Sequence, residues 1–325
     1  MAPPSDQPGP DVDYPGTFEE FDAWFRTEEA CLDYVEKLRW PSGFQCPGCA
    51  ASEAWRTGRG LHQCRRCRRQ TSVTAGTLFD HTHKSLRTWF LAMWFVTSQK
   101  YGASALGLKR VLGLGSYETA WSWMPKLRKA MVRPGRDRLR GTVEVDETYV
   151  GGEEHGVAGR GTEKKAIVGI VIEVKDPKGF GRVRMRQLAD VSAASLTPFV
   201  CQAVEPGSIV RTDGWKGYNS IENHGDVREK YVISGSGNPA HVVLPGVHRL
   251  ASLLKRWLLG THQGAVSRKH LDYSLDEYTF RFNRRTSRAR GLLFYRLMQQ
   301  AVSLEPLPYR AIVARPDMPE SVPVP

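Results

Sequence analysis

GTVEVDETYVGG, residues 141–152, decides how the rest of the chain is read. Val143, Val145 and Tyr149 fall on one face of an extended strand, and Glu144, Asp146 and Thr148 fall on the other. β-Branched and aromatic residues favour a strand here, and Gly151-Gly152 ends it. Such a strand packs one face on a core and holds out an acidic one. A lone acidic strand residue is most often merely solvated. Three later residues, Asp213, His248 and Lys255, open a second meaning.

Downstream, a charged Gly-rich loop over 151–165 leads into Ala166–Val174, a continuous β-branched run that reads as a strand covered on both faces. Asp176-Pro177-Lys178-Gly179 is a turn, and Gly181–Val191 returns as a third strand. Ser195–Val204 reads as a helix, Ser208–Thr212 as a short strand ending at Asp213-Gly214, Gly217–Asn223 as a short helix and Glu229–Ile233 as a last strand. Three antiparallel strands, then helix, strand, helix and strand, fit an α/β domain of the ribonuclease H-like kind, a mixed sheet flanked by helices, without requiring it. After a loop at 235–245, Val247–Leu259 is helical. His248 and Lys255 stand seven residues apart on it, two turns, and so share a face. Lys269–Asn283 is a further amphipathic helix.

Upstream, residues 132–140 make a basic linker. Lys84–Met131 is helical, and its Leu86, Trp89, Phe90, Met93 and Trp94 form a core stripe. Ala103–Leu112 and Tyr117–Met131, about Gly113-Leu114-Gly115-Ser116, suit a helix-turn-helix-like hairpin whose second helix carries Lys126, Arg128 and Lys129. Pro125 is expected to kink that helix. Cys46-Pro47-Gly48-Cys49 and Cys64-Arg65-Arg66-Cys67 are two C-x-x-C knuckles. Together they can close a tetrahedral Zn²⁺ site that leaves no open position and serves folding. Arg65, Arg66, Arg68 and Arg69 crowd the second knuckle, either as a solvated basic loop or as phosphate contacts. Thr17–Arg39 reads as two short helices, because Glu28 and Glu29 break the apolar stripe. The expected division is a disordered tail at 1–16, a helical lead-in with the zinc ribbon at 17–80, the helical hairpin region at 81–132, the α/β domain at 133–300 and a Pro-rich tail at 301–325.

The formal net charge is +12 and the pI about 9.5, which favours a polyanionic partner such as nucleic acid over a merely basic protein. There is no apolar run long enough for a membrane span, and the Pro-rich, acidic N-terminus lacks the apolar core of a signal peptide. A cytoplasmic, nucleoid-associated protein is expected. Six cysteines in that compartment are metal ligands or buried thiols rather than disulfides.

Asp146 on a strand, Asp213 at a strand end and a polar residue on a later helix can converge on one point, where two carboxylates bind Mg²⁺ through oxygen. Two such ions about 4 Å apart activate the attacking oxygen and stabilise the leaving oxygen in phosphodiester chemistry. VEVDETYVGG, TDGWKGY, VHRLASLLKRWLLGTHQG and HLDYSLDEYTFRFNRR, four blocks in this order, resemble the insertion-sequence transposases of the DDE superfamily, in the ISXO-like group with an N-terminal zinc ribbon. The likeness covers roughly residues 18–300.

The resemblance implies a ribonuclease H-like fold and metal-dependent DNA 3′-end cleavage and strand transfer. The double-stranded DNA partners would be the element's terminal inverted repeats and a target. Asp146 and Asp213 would be metal-binding carboxylates, and Lys255, with Arg256 beside it, would contact DNA phosphate. A homodimer or larger assembly would act on both ends. Where the superfamily's common pattern has Glu, this chain has His248, which either binds the second metal or contacts phosphate or water; imidazole suits Mn²⁺ better than Mg²⁺. Glu144 shares the Asp146 face and could support the site, whereas Glu147 points the other way. The competing reading is a catalytically inactive DNA-binding protein, a repressor or decayed transposase. A ribonuclease acting on RNA–DNA hybrids would have no use for the N-terminal modules.

Overall fold

Thr17 and Thr27 sit at N-caps, their hydroxyls accepting from the amides of Glu20 and Ala30, and they cut the first apolar stripe into α1 (Phe18–Trp24) and α2 (Glu28–Arg39). The computed structural model describes residues 8–133, 135–152, 165–175, 177–231, 240–264 and 266–314. It divides into two units, Met1–Arg133 with Ser287–Ala314, and Pro134–Thr286.

In the first unit a three-stranded antiparallel ribbon follows α2: β1 (Ala54–Arg56), β2 (His62–Cys64) and β3 (Gln70–Thr71). Next comes α3 (Leu86–Ser98), buried on most of its circumference, as an all-round apolar helix must be. Phe90 meets Phe25 with ring centroids 4.8 Å apart, and Trp94 meets Phe21 at 4.8 Å. α4 (Ala105–Leu112) ends on Gly113 in the left-handed region, and α5 (Tyr117–Lys129) starts on the Ser116 cap. α5 runs through Pro125 as one helix, with Trp123 stacked on Trp89 at 3.7 Å.

The second unit runs β4 (Thr142–Val150), β5 (Ala166–Val174), β6 (Phe180–Leu188), α6 (Ala193–Ala203), β7 (Ile209–Asp213), two single 3-10 turns, β8 (Val227–Tyr231), the short α7 (Ala240–Val243), α8 (Pro245–His262) and α9 (Arg268–Asn283). The chain then returns to the first unit as α10 (Arg290–Ala301) and α11 (Tyr309–Val313).

The five strands lie in the order β6-β5-β4-β7-β8, antiparallel from β6 to β4 and parallel from β4 to β8. β4 is therefore central. Its Val143 and Val145 join α6 in one core, with Leu196, Phe199 and Val200. The other face, carrying Ile170 and Ile172 of β5, packs under Leu250 and Leu254 of α8 and Leu271 and Leu275 of α9. α9 also covers the outer edge of β6: the Val183 amide donates to Asn283 Oδ1 at 2.7 Å and the Gln187 amide to Asp272 Oδ1 at 2.9 Å. An edge strand left bare would invite pairing with another chain.

Several expectations are corrected. Residues 8–16 are not a loose tail: Tyr14 is buried, and the Tyr34 hydroxyl donates to Asp13 O at 2.7 Å. Residues 302–314 are not a loose tail: they carry α11, with Ile312 buried, and 315–325 lie outside the described residues. The division at residue 300 falls one helix beyond the unit boundary, since α10 belongs with the aromatic core: Phe294 lies 5.3 Å from Phe21. The Gly-rich loop from 153 to 164 and the residues at 232–239 lie outside the described residues.

Asn283→Ala deletes both the acceptor for the Val183 amide and the donor to its carbonyl. Stranding a buried amide costs ~1–3 kcal/mol. Urea unfolding of the second unit should report a loss in that range, with faster hydrogen exchange confined to β6.

Candidate active site and zinc centre

The acidic face of β4 is not turned to solvent; it faces the start of α8. Glu144 is 2% exposed, and its Oε2 accepts from the amides of Gly246 at 2.7 Å and Val247 at 3.0 Å. Burial raises the Glu144 pKa, while those two amides and Arg211 act against the rise. Two residues along the same face, Asp146 Oδ1 accepts from the Glu147 amide at 2.9 Å, and Oδ2 stands 3.7 Å from His248 Nε2. The side chains of His248 and Asp146 are 30% and 18% exposed.

Asp213 arrives from the neighbouring strand. The parallel ladder pairs Thr142 with Ile209, Val143 with Val210 and Glu144 with Arg211. The pairing ends there, and Asp146 and Asp213 each stand two residues beyond the last pair, on adjacent strands of one sheet. The turn after β7 holds the Asp213 carboxylate, Oδ1 accepting from the Trp215 amide at 3.0 Å. Gly217 lets that turn close, because a Cβ there would meet Trp215 Nε1 and Val191 O at 2.6 Å. Arg228 ties the strand end from below, donating to Thr212 Oγ1 at 2.9 Å and to Asp213 O at 3.2 Å.

Tyr218 is fully buried beneath this part of the sheet. Its hydroxyl donates to Glu147 Oε2 at 2.8 Å, and its pKa is raised first by burial and then by Glu147, Asp146 and Asp213. Glu147 lies on the face opposite Asp146, as alternation requires. Lys255 and Arg256 are exposed on α8. Partial desolvation, and then the neighbouring Lys165, lowers the Lys255 pKa.

Among the described residues, only the four cysteines form a group of three or more metal-ligand atoms all within 4.8 Å of one another. Cys46 Sγ lies 3.5 Å from Cys67 Sγ, and Cys49 Sγ lies 3.6 Å from Cys64 Sγ. Four thiolates about 2.3 Å from one zinc would stand about 3.8 Å apart at the corners of a tetrahedron. The pocket fits that ion without rearrangement, and the Gly48 amide, the largest influence on Cys46, helps lower its thiol pKa to about 6. Arg65, Arg66, Arg68 and Arg69 are all exposed on the second knuckle, with Arg68 over the Trp55 ring at 5.2 Å.

On α5, Lys126 is half-buried. Arg128 corrects an expectation: it is 7% exposed, because it falls on the buried stripe of Met124 and Leu127 rather than on the outer face. The exposed positions at the start of α5 are Ser116, Tyr117 and Glu118.

Comparison with known proteins follows this geometry closely. Residues 138–283, from just before β4 to the end of α9, match the ISXO2-like transposase domain. Residues 26–70 match a transposase zinc-ribbon domain. The chain thus carries a region similar to the ISXO2-like transposase domain, preceded by one similar to a transposase zinc ribbon. An uncharacterized protein in transposable element ISH50 of Halobacterium salinarum is 27% identical over 276 residues, spanning 79% of this chain and 91% of that relative. Among the described residues, no helix is long and apolar enough to cross a membrane.

If zinc holds the knuckles together, elemental analysis of the purified protein should find about one zinc per chain. Cys64→Ser should abolish it. Strong chelators should raise amide exchange across β1–β3 while leaving β4–β8 unchanged.

Proposed function

We propose that this transposase cleaves the 3′ strand at the ends of its element and joins the freed 3′-OH to target DNA. The observation that supports this reading best is His248 Nε2 standing 3.7 Å from Asp146 Oδ2, with Asp213 at the end of the strand adjacent to β4. That separation is too long for a hydrogen bond and short enough for both atoms to reach one ion. Two carboxylates and an imidazole at a partly open rim suit divalent Mg²⁺ or, given the nitrogen donor, Mn²⁺. Two such ions would activate the attacking oxygen and stabilise the leaving one during in-line displacement at phosphorus.

The chain's own residues would do the rest. Asp146 and Asp213 are the metal-binding carboxylates, each with Oδ1 anchored by a backbone amide. His248 completes the ligand set. Lys255 and Arg256, exposed on the same helix, bind DNA phosphates beside the site. Strand order, and the placing of acids on neighbouring strands, favour a ribonuclease H-like assignment for the second unit. We further assign Arg65, Arg66 and Arg68 of the ribbon, with Lys126 and the exposed start of α5, to the terminal inverted repeats; Arg128 is left out because it is buried. Processing two ends together calls for a homodimer or larger assembly on DNA.

A nicking assay on duplexes carrying the element's ends tests this. Wild type should cut with Mg²⁺ or Mn²⁺ and not without. Asp146→Ala and Asp213→Ala should each lose more than about 100-fold, beyond what outer-shell changes cost at metal sites. Salt-sensitive DNA binding with no cutting in either metal would favour the inactive DNA-binding protein instead. Undiminished cutting by either Asp variant would reject the ligand assignment.

A further inference from the structure

Glu144 is among the charged side chains most completely withdrawn from water in the second unit, and the site as drawn gives it no chemical task. Its position explains how the site is assembled. α8 lacks a cap of its own: the N-cap is Leu244, which has no side-chain acceptor, Pro245 follows at the first helical position, and the first turn holds no acidic residue. The next two amides, of Gly246 and Val247, are the orphan donors of that helix end. Both donate to Glu144 Oε2 across the gap between helix and sheet. A carboxylate at a helix N-terminus is also favoured by the helix dipole.

The spacing matters as much as the bond. Asp146 lies two residues beyond Glu144 on the same strand face, and His248 lies two residues beyond Gly246 on the helix. Strand and helix therefore meet at two points, Glu144 with Gly246 and Asp146 with His248. The first contact is short and bonded; the second is 3.7 Å. Gly246 enforces the first, because a Cβ there would lie 2.8 Å from Glu144 Oε2, 2.8 Å from Phe180 Cε1 and 3.1 Å from Ile172 Cγ2. Any larger residue must displace the Glu144 carboxylate, the Phe180 ring or the helix end, and so loosen the contact that holds His248 in place.

We infer that Glu144 is a positioning residue: by capping α8 it fixes where His248 stands opposite Asp146. This rests on the proposed role of Asp146 and His248, so its test carries readouts that need no cleavage. Outer-shell groups that orient metal ligands typically account for 10–100-fold in metal affinity or activity.

In the full chain, Glu144→Ala should raise amide exchange at the first turn of α8 and weaken Mn²⁺ binding, followed by electron paramagnetic resonance, about 10–100-fold. It should slow nicking at saturating DNA by a similar factor and leave DNA affinity unchanged. Glu144→Gln, whose amide oxygen still accepts both amides, should recover most of the Mn²⁺ affinity and rate. Gly246→Ala should reproduce the Glu144→Ala pattern.

Unchanged Mn²⁺ affinity in Glu144→Ala, with or without faster exchange, would overturn the inference, leaving at most a plain helix cap. So would losses of DNA binding, metal binding and rate in step with the unfolded fraction, or a Gln variant as defective as Ala. Wild type that binds Mn²⁺ in a Glu144-dependent way yet never cuts would remove the nuclease reading and leave the positioning role standing.

Discussion

A carboxylate withdrawn from water must find donors, and at Glu144 the donors are the opening amides of α8. That single contact joins the central strand to the helix that crosses it, and much of the second unit is arranged around it. The apolar face of α8, with Leu250 and Leu254, then seats on Ile170 and Ile172. On the other side of the sheet, Val143 and Val145 bury against α6. β4 is thus clamped from both faces and paired on both edges, which gives Asp146 a rigid base. Precision of this kind is what a site for small divalent ions demands, because ligand geometry decides both affinity and reactivity.

The two units are stabilised by different means. The second has a five-stranded sheet with a core on each face, and α9 seals the edge at β6 through side-chain contacts to its backbone. The first relies on aromatic packing around α3, where Phe21, Phe25, Phe90, Trp94 and Phe294 meet at centroid distances from 4.8 to 5.8 Å. Its ribbon has three strands of two or three residues, too few to form a core, and four converging thiols stand where hydrophobic burial is lacking. The surplus of positive charge lies partly on that ribbon, whose exposed arginines cost little to hold apart in water and gain most beside phosphate.

Much of this was legible in the sequence where the signal was local. Alternation in β4, the β-branched run of β5 and the paired C-x-x-C knuckles each depend on a few neighbouring residues. Thr17 and Thr27 could have been read as caps by the same local logic. What needed a distant partner was not legible. The parallel pairing that makes β7, with Asp213 at its end, the neighbour of β4 joins residues more than sixty positions apart. The acidic face of β4 looked solvated because nothing in its own sequence announces that a helix a hundred residues later lacks a cap. Arg128 carries charge, and charge suggested an outer face; the helical stripe it shares with Met124 turned it inward. α10 and residues 8–16 were missed because their apolar groups become a pattern only when Phe294 and Tyr14 reach the aromatic cluster and its neighbours.

The central claim is that two acids from neighbouring strands share metal ions beside His248. Its most direct measurement is a crystal structure of the transposase bound to element-end DNA in Mn²⁺, with metal located by anomalous scattering. The account predicts an anomalous peak within about 2.2 Å of carboxylate oxygens from both Asp146 and Asp213, facing a DNA phosphate. A well-ordered complex whose manganese sits elsewhere, or whose two carboxylates share no ion, would contradict it.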